Sequence, residues 1–279
     1  MLAEAAIGDA YGAGFEFRDM DFIRENNHLQ AYFRHGLYES IFKTYTDDTQ
    51  MALAIAELVL EEKNWTPEKI ADKFVAVFHR DKRLGYSGRM YDALDTSKNG
   101  RELMTILNAD SSGNGSAMRA YPLGYIKDIN QLLEYAAMQA RISHDTPEGI
   151  MAARRIALAA HYFIYNHSSK ESLIDFLNNT LQENEKYQIV SPVDMHGYPT
   201  TQTVIRLVSE YNRLDLCLKD GIDLGGDTDT VASLCMALLS LKKDSIKTLP
   251  DFLWEELENG KFGRDYLKVI DQDLKTHFL

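Results

Sequence analysis

The sequence predicts an all-α fold in a single domain over residues 1–279, and three observations carry that prediction. Apolar residues recur at helical spacing in nearly every segment, no series of alternating strands interrupts them, and two prolines stand where prolines start helices. With 45 % hydrophobic residues the chain can fill a sizeable core, and no Pro/Gly/Ser-rich linker, low-complexity tract or fixed-period repeat divides it.

Taken in order, "MALAIAELVLEE" specifies a helix over 51–62 and "KIADKFVAVFHR" one over 69–80. Thr66-Pro67-Glu68, just ahead of the second, reads as a capping threonine, a proline at the first helical position and an acid in the first turn. "NQLLEYAAMQARI" follows at 130–142, and Thr146-Pro147-Glu148 repeats the capping signal before "GIMAARRIALAAHYFIY" at 149–165. Helical spacing returns at 171–182, 200–211, 230–241, 251–260 and 264–278. The stretches 17–45, 108–128 and 185–200 are the least patterned.

The formal charge of −12 argues against a nucleic-acid surface, because phosphate backbones are met by clustered Lys and Arg. Any phosphate must be met locally. Two cysteines, Cys217 and Cys235, imply no disulfide framework, and Cys235 in an apolar run reads as a buried thiol. The longest apolar runs, near 156–165 and 231–241, are too short to span a bilayer, and the first residues lack the pattern of a signal peptide. A cytoplasmic enzyme or binding protein without a membrane partner is expected.

Chemistry concentrates in two matching stretches. "YTDDTQMALAIAELVL" at 45–60 and "GGDTDTVASLCMALLSL" at 225–241 each set a Thr/Asp cluster at the head of an apolar helix. Capping accounts for one such side chain per helix. Two carboxylates per cluster exceed that need, and an unpaired buried carboxylate costs several kcal/mol. Asp47, Asp48, Asp227 and Asp229, with the hydroxyls of Thr46 and Thr230, form a hard-oxygen set suited to Mg²⁺, Mn²⁺ or Ca²⁺ rather than zinc. Neighbouring residues on a helix diverge by about 100°, so Asp47 and Asp48 converge only where the chain is still turning, and Gly225-Gly226 supplies the same freedom before Asp227.

Three smaller signals accompany them. "SSGNGSAMR" at 111–119 offers accessible backbone N–H groups that can cradle a phosphate, although a surface turn has the same composition. "GDAYGAGFEF" at 8–17 holds Asp9, readable as a helix-end cap, and Glu16, readable as a solvated acid. "SHDTPEG" at 143–149 starts a helix beside His144, whose ring suits a hydrogen bond or a metal contact. No nucleophile elbow, Walker loop or dinucleotide fingerprint is present.

Taken in chain order, "GDAYGAGFEF", "YTDDTQMAL", "SSGNGSAMRAYPLG", "SHDTPEG" and "LGGDTDTVAS" resemble the ADP-ribosylglycohydrolase family, and the resemblance spans roughly residues 1–240. It implies an all-α, mostly orthogonal helical fold with two Mg²⁺ or Mn²⁺ ions in a central cleft. It implies metal ligands at Thr46, Asp47, Asp48, Asp227, Asp229 and Thr230, and catalytic carboxylates among Glu16, Asp47 and Asp48. Asn114, Gly115, Ser116 and Met118 match a loop that holds the ADP-ribose diphosphate, and His144 matches a histidine near the nucleotide. The implied activity is hydrolysis of the bond between ADP-ribose and an acceptor on a protein or small molecule, with ADP-ribosyl-arginine as the leading substrate. Asp145 departs from the family pattern, and 187–204 does not align with it.

Two other readings stand beside this one. An HD-type metal phosphohydrolase would use His79, His144, Asp145 and Asp227 but leaves Asp47, Asp48 and Asp229 without a role. A catalytically silent ADP-ribose-binding or crystallin-like protein would keep the same fold.

Overall fold

The computed structural model describes residues 1–61, 64–165 and 171–279, and among them lie fifteen α-helices and no β-strand. In chain order they are α1 (Leu2–Gly12), α2 (Met20–Asn26), α3 (Asp47–Glu61), α4 (Pro67–Arg80), α5 (Gly88–Thr96), α6 (Gly100–Ile106) and α7 (Gly115–Met118), followed by a 3₁₀ turn at Tyr121–Tyr125. Then come α8 (Ile129–Ala140), α9 (Pro147–Tyr165), α10 (Leu173–Leu181), α11 (Gly197–Glu210), α12 (Leu214–Asp223), α13 (Thr228–Leu241), α14 (Asp251–Glu255) and α15 (Arg264–Phe278).

Both proline-led helices start as their capping residues specify. Thr66 accepts from the Lys69 N–H at 3.3 Å ahead of α4, and Thr146 accepts from the Gly149 N–H at 3.1 Å ahead of α9. Glu62, the last residue of the helix expected over 51–62, lies outside the described residues. The helix expected over 251–260 is shorter. It stops at Glu255, because the Glu258 N–H turns away to the Lys43 carbonyl at 2.8 Å and the Glu258 carbonyl accepts from Arg264.

The centre of the molecule is the pair α1 and α13. Every residue of α1 except Glu4 is buried, as is every residue of α13 from Thr228 to Ser240. They touch backbone to backbone: a Cβ on Gly8 would stand 2.4 Å from the Ala232 carbonyl oxygen, and one on Gly12 2.5 Å from the Asp229 Cα. Only glycine permits that approach. At the other end of α1, the Asp271 carboxylate of α15 accepts from the Leu2 and Ala3 N–H groups at 2.9 and 3.2 Å, a cap supplied by a distant helix. Cys217 and Cys235 are both free and buried. Among the described residues no helix is long and apolar enough to cross a membrane.

Candidate active site

Asp9, near the end of α1, brings the start of α3 to the centre. It is fully buried, and its two carboxylate oxygens accept from the Thr46 N–H (3.0 Å), the Thr46 hydroxyl (2.8 Å), the Thr49 N–H (3.0 Å) and the Thr49 hydroxyl (2.7 Å). It is a cap, as its residue type suggested, but for a helix other than its own. Burial pushes its pKa up to about 6, against the pull of those four donors.

Asp47 and Asp48 follow in the first turn of α3. The Asp47 N–H donates to the Leu84 carbonyl at 3.1 Å, which docks the 83–87 loop on this turn. Gly85 of that loop has φ +107°, and a Cβ there would stand 2.2 Å from Asp47 Oδ1. At the start of α13, Gly225 and Gly226 take φ +71° and +84°, the turning freedom expected of them. The Thr228 hydroxyl donates to the Gly12 carbonyl at 2.8 Å, and the Thr230 N–H to Asp229 Oδ1 at 2.9 Å. Asp227 Oδ2 accepts from the Asn114 side-chain amide at 2.7 Å.

These turns line one cavity of about 530 Å³, within the usual size of a small-molecule site. Glu16, Asp47, Asp48, Asp227, Asp229 and Thr230 all face it. Ligand atoms of Glu16, Asp227 and Asp229 lie within 4.8 Å of one another. Asp48 Oδ1 is buried and has no hydrogen-bond partner. Burial first, and then mutual repulsion, raises Asp47, Asp48 and Asp229 well above the ordinary carboxylate range, and burial also raises Asp227. A buried oxygen with no donor, inside a group of hard oxygen atoms, fits a divalent cation.

The glycine-rich loop reaches the same cavity. Asn114, Gly115 and Met118 line it. Two of the expected site residues do not. The Ser116 hydroxyl is buried and donates to the Gly149 carbonyl at 2.7 Å, and Thr46 turns its hydroxyl proton to Asp9. Asn114 divides its amide between Asp227 and the Thr200 hydroxyl at 3.1 Å, so it ties the loop to the carboxylates.

His144 lines the cavity with its ring held on one side. Arg119 Nη2 donates to Ser143 Oγ at 2.9 Å, and Ser143 Oγ shares a hydrogen bond with His144 Nδ1 at 2.7 Å, which fixes the ring and leaves Nε2 toward the loop. Nε2 is 3.1 Å from the position of a Cβ on Gly115, beside the loop. Burial first, then the neighbouring Arg119 and Arg89 charges, lower the His144 pKa to about 3, which keeps the ring neutral. Asp145 lies outside the cavity in an exposed pair with Arg141 at 3.4 Å. His79 is elsewhere, its Nε2 at 2.9 Å from the Ser97 carbonyl, so the ligand set of an HD-type phosphohydrolase does not assemble.

Several site residues escaped sequence reasoning. Gly85, Tyr86 and Arg89 line the cavity from a segment bracketed by glycines, "LGYSG", which was the one visible sign of them. Arg89 pairs with Asp110 at 3.1 Å and keeps about half its side chain exposed. The unpatterned 187–196 stretch holds both halves together: Val193 exchanges hydrogen bonds with Gly225 and Asp227, and the Met195 carbonyl accepts from Asn114. Such contacts leave no mark in a sequence.

The model of the family described as ADP-ribosylglycohydrolase matches residues 1–278. An ADP-ribosylhydrolase ARH3 of Xenopus tropicalis is 26 % identical over 261 residues, covering 86 % of this chain and 72 % of its own. The ADP-ribosyl-[dinitrogen reductase] glycohydrolase of Rhodospirillum rubrum is 24 % identical over 282 residues, covering 95 % of this chain and 91 % of its own. A solved structure titled an ADP-ribosylglycohydrolase-related protein complex superposes with a TM-score of 0.74 at 20 % identity, over all of this chain and 96 % of that one, a likeness of fold.

Proposed function

This chain belongs to the ADP-ribosylglycohydrolase family, and on that premise we propose that it hydrolyses the bond between ribose C1 of ADP-ribose and an acceptor, with arginine on a protein as the leading acceptor and two Mg²⁺ or Mn²⁺ ions as cofactors. The supporting observation is the buried, unpartnered Asp48 Oδ1 among carboxylates that raise one another's pKa inside a single cavity. Asp47, Asp48, Asp227, Asp229 and Thr230 would hold the cations, and Thr46, though outside the cavity lining, keeps its oxygen lone pairs for the same purpose, since its proton goes to Asp9. When bound, the cations lower the pKa of a water and fix the ribose by its hydroxyls.

The remaining work falls to this chain's own groups. Glu16, the one carboxylate of the group with appreciable exposure, accepts the proton of the attacking water, a role that typically contributes 10²- to 10⁴-fold. As C1 gains the water oxygen and loses the acceptor, that proton is free to return to the acceptor nitrogen. His144 Nε2 and the loop residues Asn114, Gly115 and Met118 would face the diphosphate, and Arg89 is the cavity guanidinium left to meet its charge, because Arg119 is engaged by Gln139 and Ser143. The deciding test is release of ADP-ribose from ADP-ribosyl-arginine protein with Mg²⁺ or Mn²⁺ supplied. Turnover abolished by chelation and by Asp48→Asn is expected; tight binding of ADP-ribose with no product would make this a silent binding protein instead.

A further inference from the structure

Glu16 stands on a short turn after α1 whose backbone is fixed, since the Phe17 N–H donates to the Gly226 carbonyl at 2.9 Å. Its side chain is a different matter. It shares a space of under 5 Å with the Asp227 and Asp229 oxygens, and at about 20 % exposure it has a way out that those buried carboxylates lack. Repulsion alone would swing it toward solvent.

A buried histidine opposes that. His35 Nε2 lies 2.5 Å from Glu16 Oε2. On the other side of the ring, Nδ1 accepts from two backbone N–H groups, Leu37 at 2.9 Å and Tyr38 at 3.0 Å. With two donors aimed at it, Nδ1 cannot carry a proton, so the proton sits on Nε2 and is donated to the carboxylate. The residue itself is held: its exposure is 4 %, its backbone N–H donates to the Ile41 carbonyl at 3.1 Å, and the Tyr38 ring lies over the imidazole at 5.2 Å between centroids. The tight 35–41 loop thus acts as a bracket with a single outward donor.

We propose that His35 is a positioning residue that holds Glu16 turned into the cavity, against the repulsion of Asp227 and Asp229, so that its free oxygen faces the reacting water. The proposal rests on the hydrolase reading above. It adds a function to the unpatterned stretch 17–45, no residue of which lines the cavity.

The two ring nitrogens permit a paired test. Asparagine places an acceptor near Nδ1 and keeps the loop but cannot reach Glu16; glutamine places a donor near Nε2. With ADP-ribosyl-arginine protein, His35→Asn should lower kcat by about 10- to 100-fold, the usual cost of removing such a partner, with KM and the Kd for ADP-ribose changed less than about threefold. His35→Gln should recover most of that loss. In a Glu16→Gln background, His35→Asn should have no further effect on kcat. Independently of activity, long-range ¹H–¹⁵N spectra of the metal-free protein should show His35 as the Nε2–H tautomer. An Nδ1–H tautomer, a glutamine variant no better than the asparagine one, or full additivity with Glu16→Gln would each overturn the proposal while leaving the hydrolase reading intact. A wild type that binds ADP-ribose and never releases it from a conjugate would overturn the hydrolase reading, and this one with it.

Discussion

Asp9→Asn sets two opposing energies against each other at the point where α1 meets α3. The substitution removes a buried charge whose pKa is raised from 3.8 to about 6, so that at neutral pH the carboxylate form costs the folded state about 3 kcal/mol. It also replaces one acceptor oxygen by a donor amide opposite a backbone N–H and a hydroxyl that both donate to it now, from Thr46 or from Thr49. That raised pKa already nets burial against the charge-assisted part of these bonds, so the loss left to count is two ordinary bonds at roughly 0.5–1.5 kcal/mol each, about 1–3 kcal/mol. The two effects nearly cancel, and a stability change of less than about 2 kcal/mol is expected by urea unfolding at pH 7.5 in chelator. The two forms should also differ in pH dependence. A carboxyl with a raised folded pKa stabilises fully below its unfolded value of 3.8 and loses that contribution as pH rises through about 6, so wild type should weaken relative to Asp9→Asn across that interval. The functional effect should exceed the thermodynamic one. With the cap broken, the turn carrying Thr46, Asp47 and Asp48 loosens, and Mn²⁺ affinity by calorimetry should fall about 10- to 100-fold. A variant binding Mn²⁺ as wild type does would show that Asp9 does not hold these ligands in place.

Other perturbations separate the remaining parts of the site. Gly85→Ala forces a Cβ into Asp47 Oδ1 and strains a left-handed φ; a stability loss of about 1–3 kcal/mol and weaker Mn²⁺ binding should appear in thermal unfolding and calorimetry. Arg89→Ala should weaken ADP binding about tenfold and leave adenosine binding unaltered, without loss of stability, because its pair with Asp110 is exposed; equal loss for both ligands would refute a charge contact to phosphate. His144 has a lowered folded pKa, so its stabilising contribution is full above about 6.5 and is lost as pH falls toward 3; His144→Gln should flatten that acid limb of the unfolding profile.

How far the sequence could be read depended on what kind of signal each residue leaves. Helices with one apolar face, such as α4 and α9, declare themselves by period and by cap. Helix α1 is buried all round and so carries no period, although it is the strut that positions Asp9 and Glu16. Helix α12 buries Leu214, Cys217, Leu218, Gly221 and Ile222 at regular helical spacing, a signal masked by a cysteine and a glycine standing where larger apolar residues would normally be. At the site, Asp47, Asp48, Asp227 and Asp229 could be found because each pair falls within three residues and exceeds what a cap needs. Asp9, His35, Gly85 and Arg89 are single residues whose role arises only when distant segments meet, and no local pattern distinguishes them from ordinary caps, turns and surface charges.

On the proposed reading, the helix ends bear on why the site would take two cations rather than one. α3 and α13 both start at the cavity, and each N-terminus supplies roughly half a positive charge, about one in total. Glu16, Asp47, Asp48, Asp227 and Asp229 carry five negative charges when ionised. One divalent ion would leave a deficit of about two charges in a largely buried space, where each uncompensated charge costs several kcal/mol, and carboxyls would take up protons instead. Two divalent ions would bring the site close to neutral, let every carboxylate ionise and leave the diphosphate of the proposed substrate to neutral donors and Arg89. Replacing one acid, as in Asp229→Asn, should therefore lower the number of Mn²⁺ ions bound before it lowers the affinity of the ion that remains.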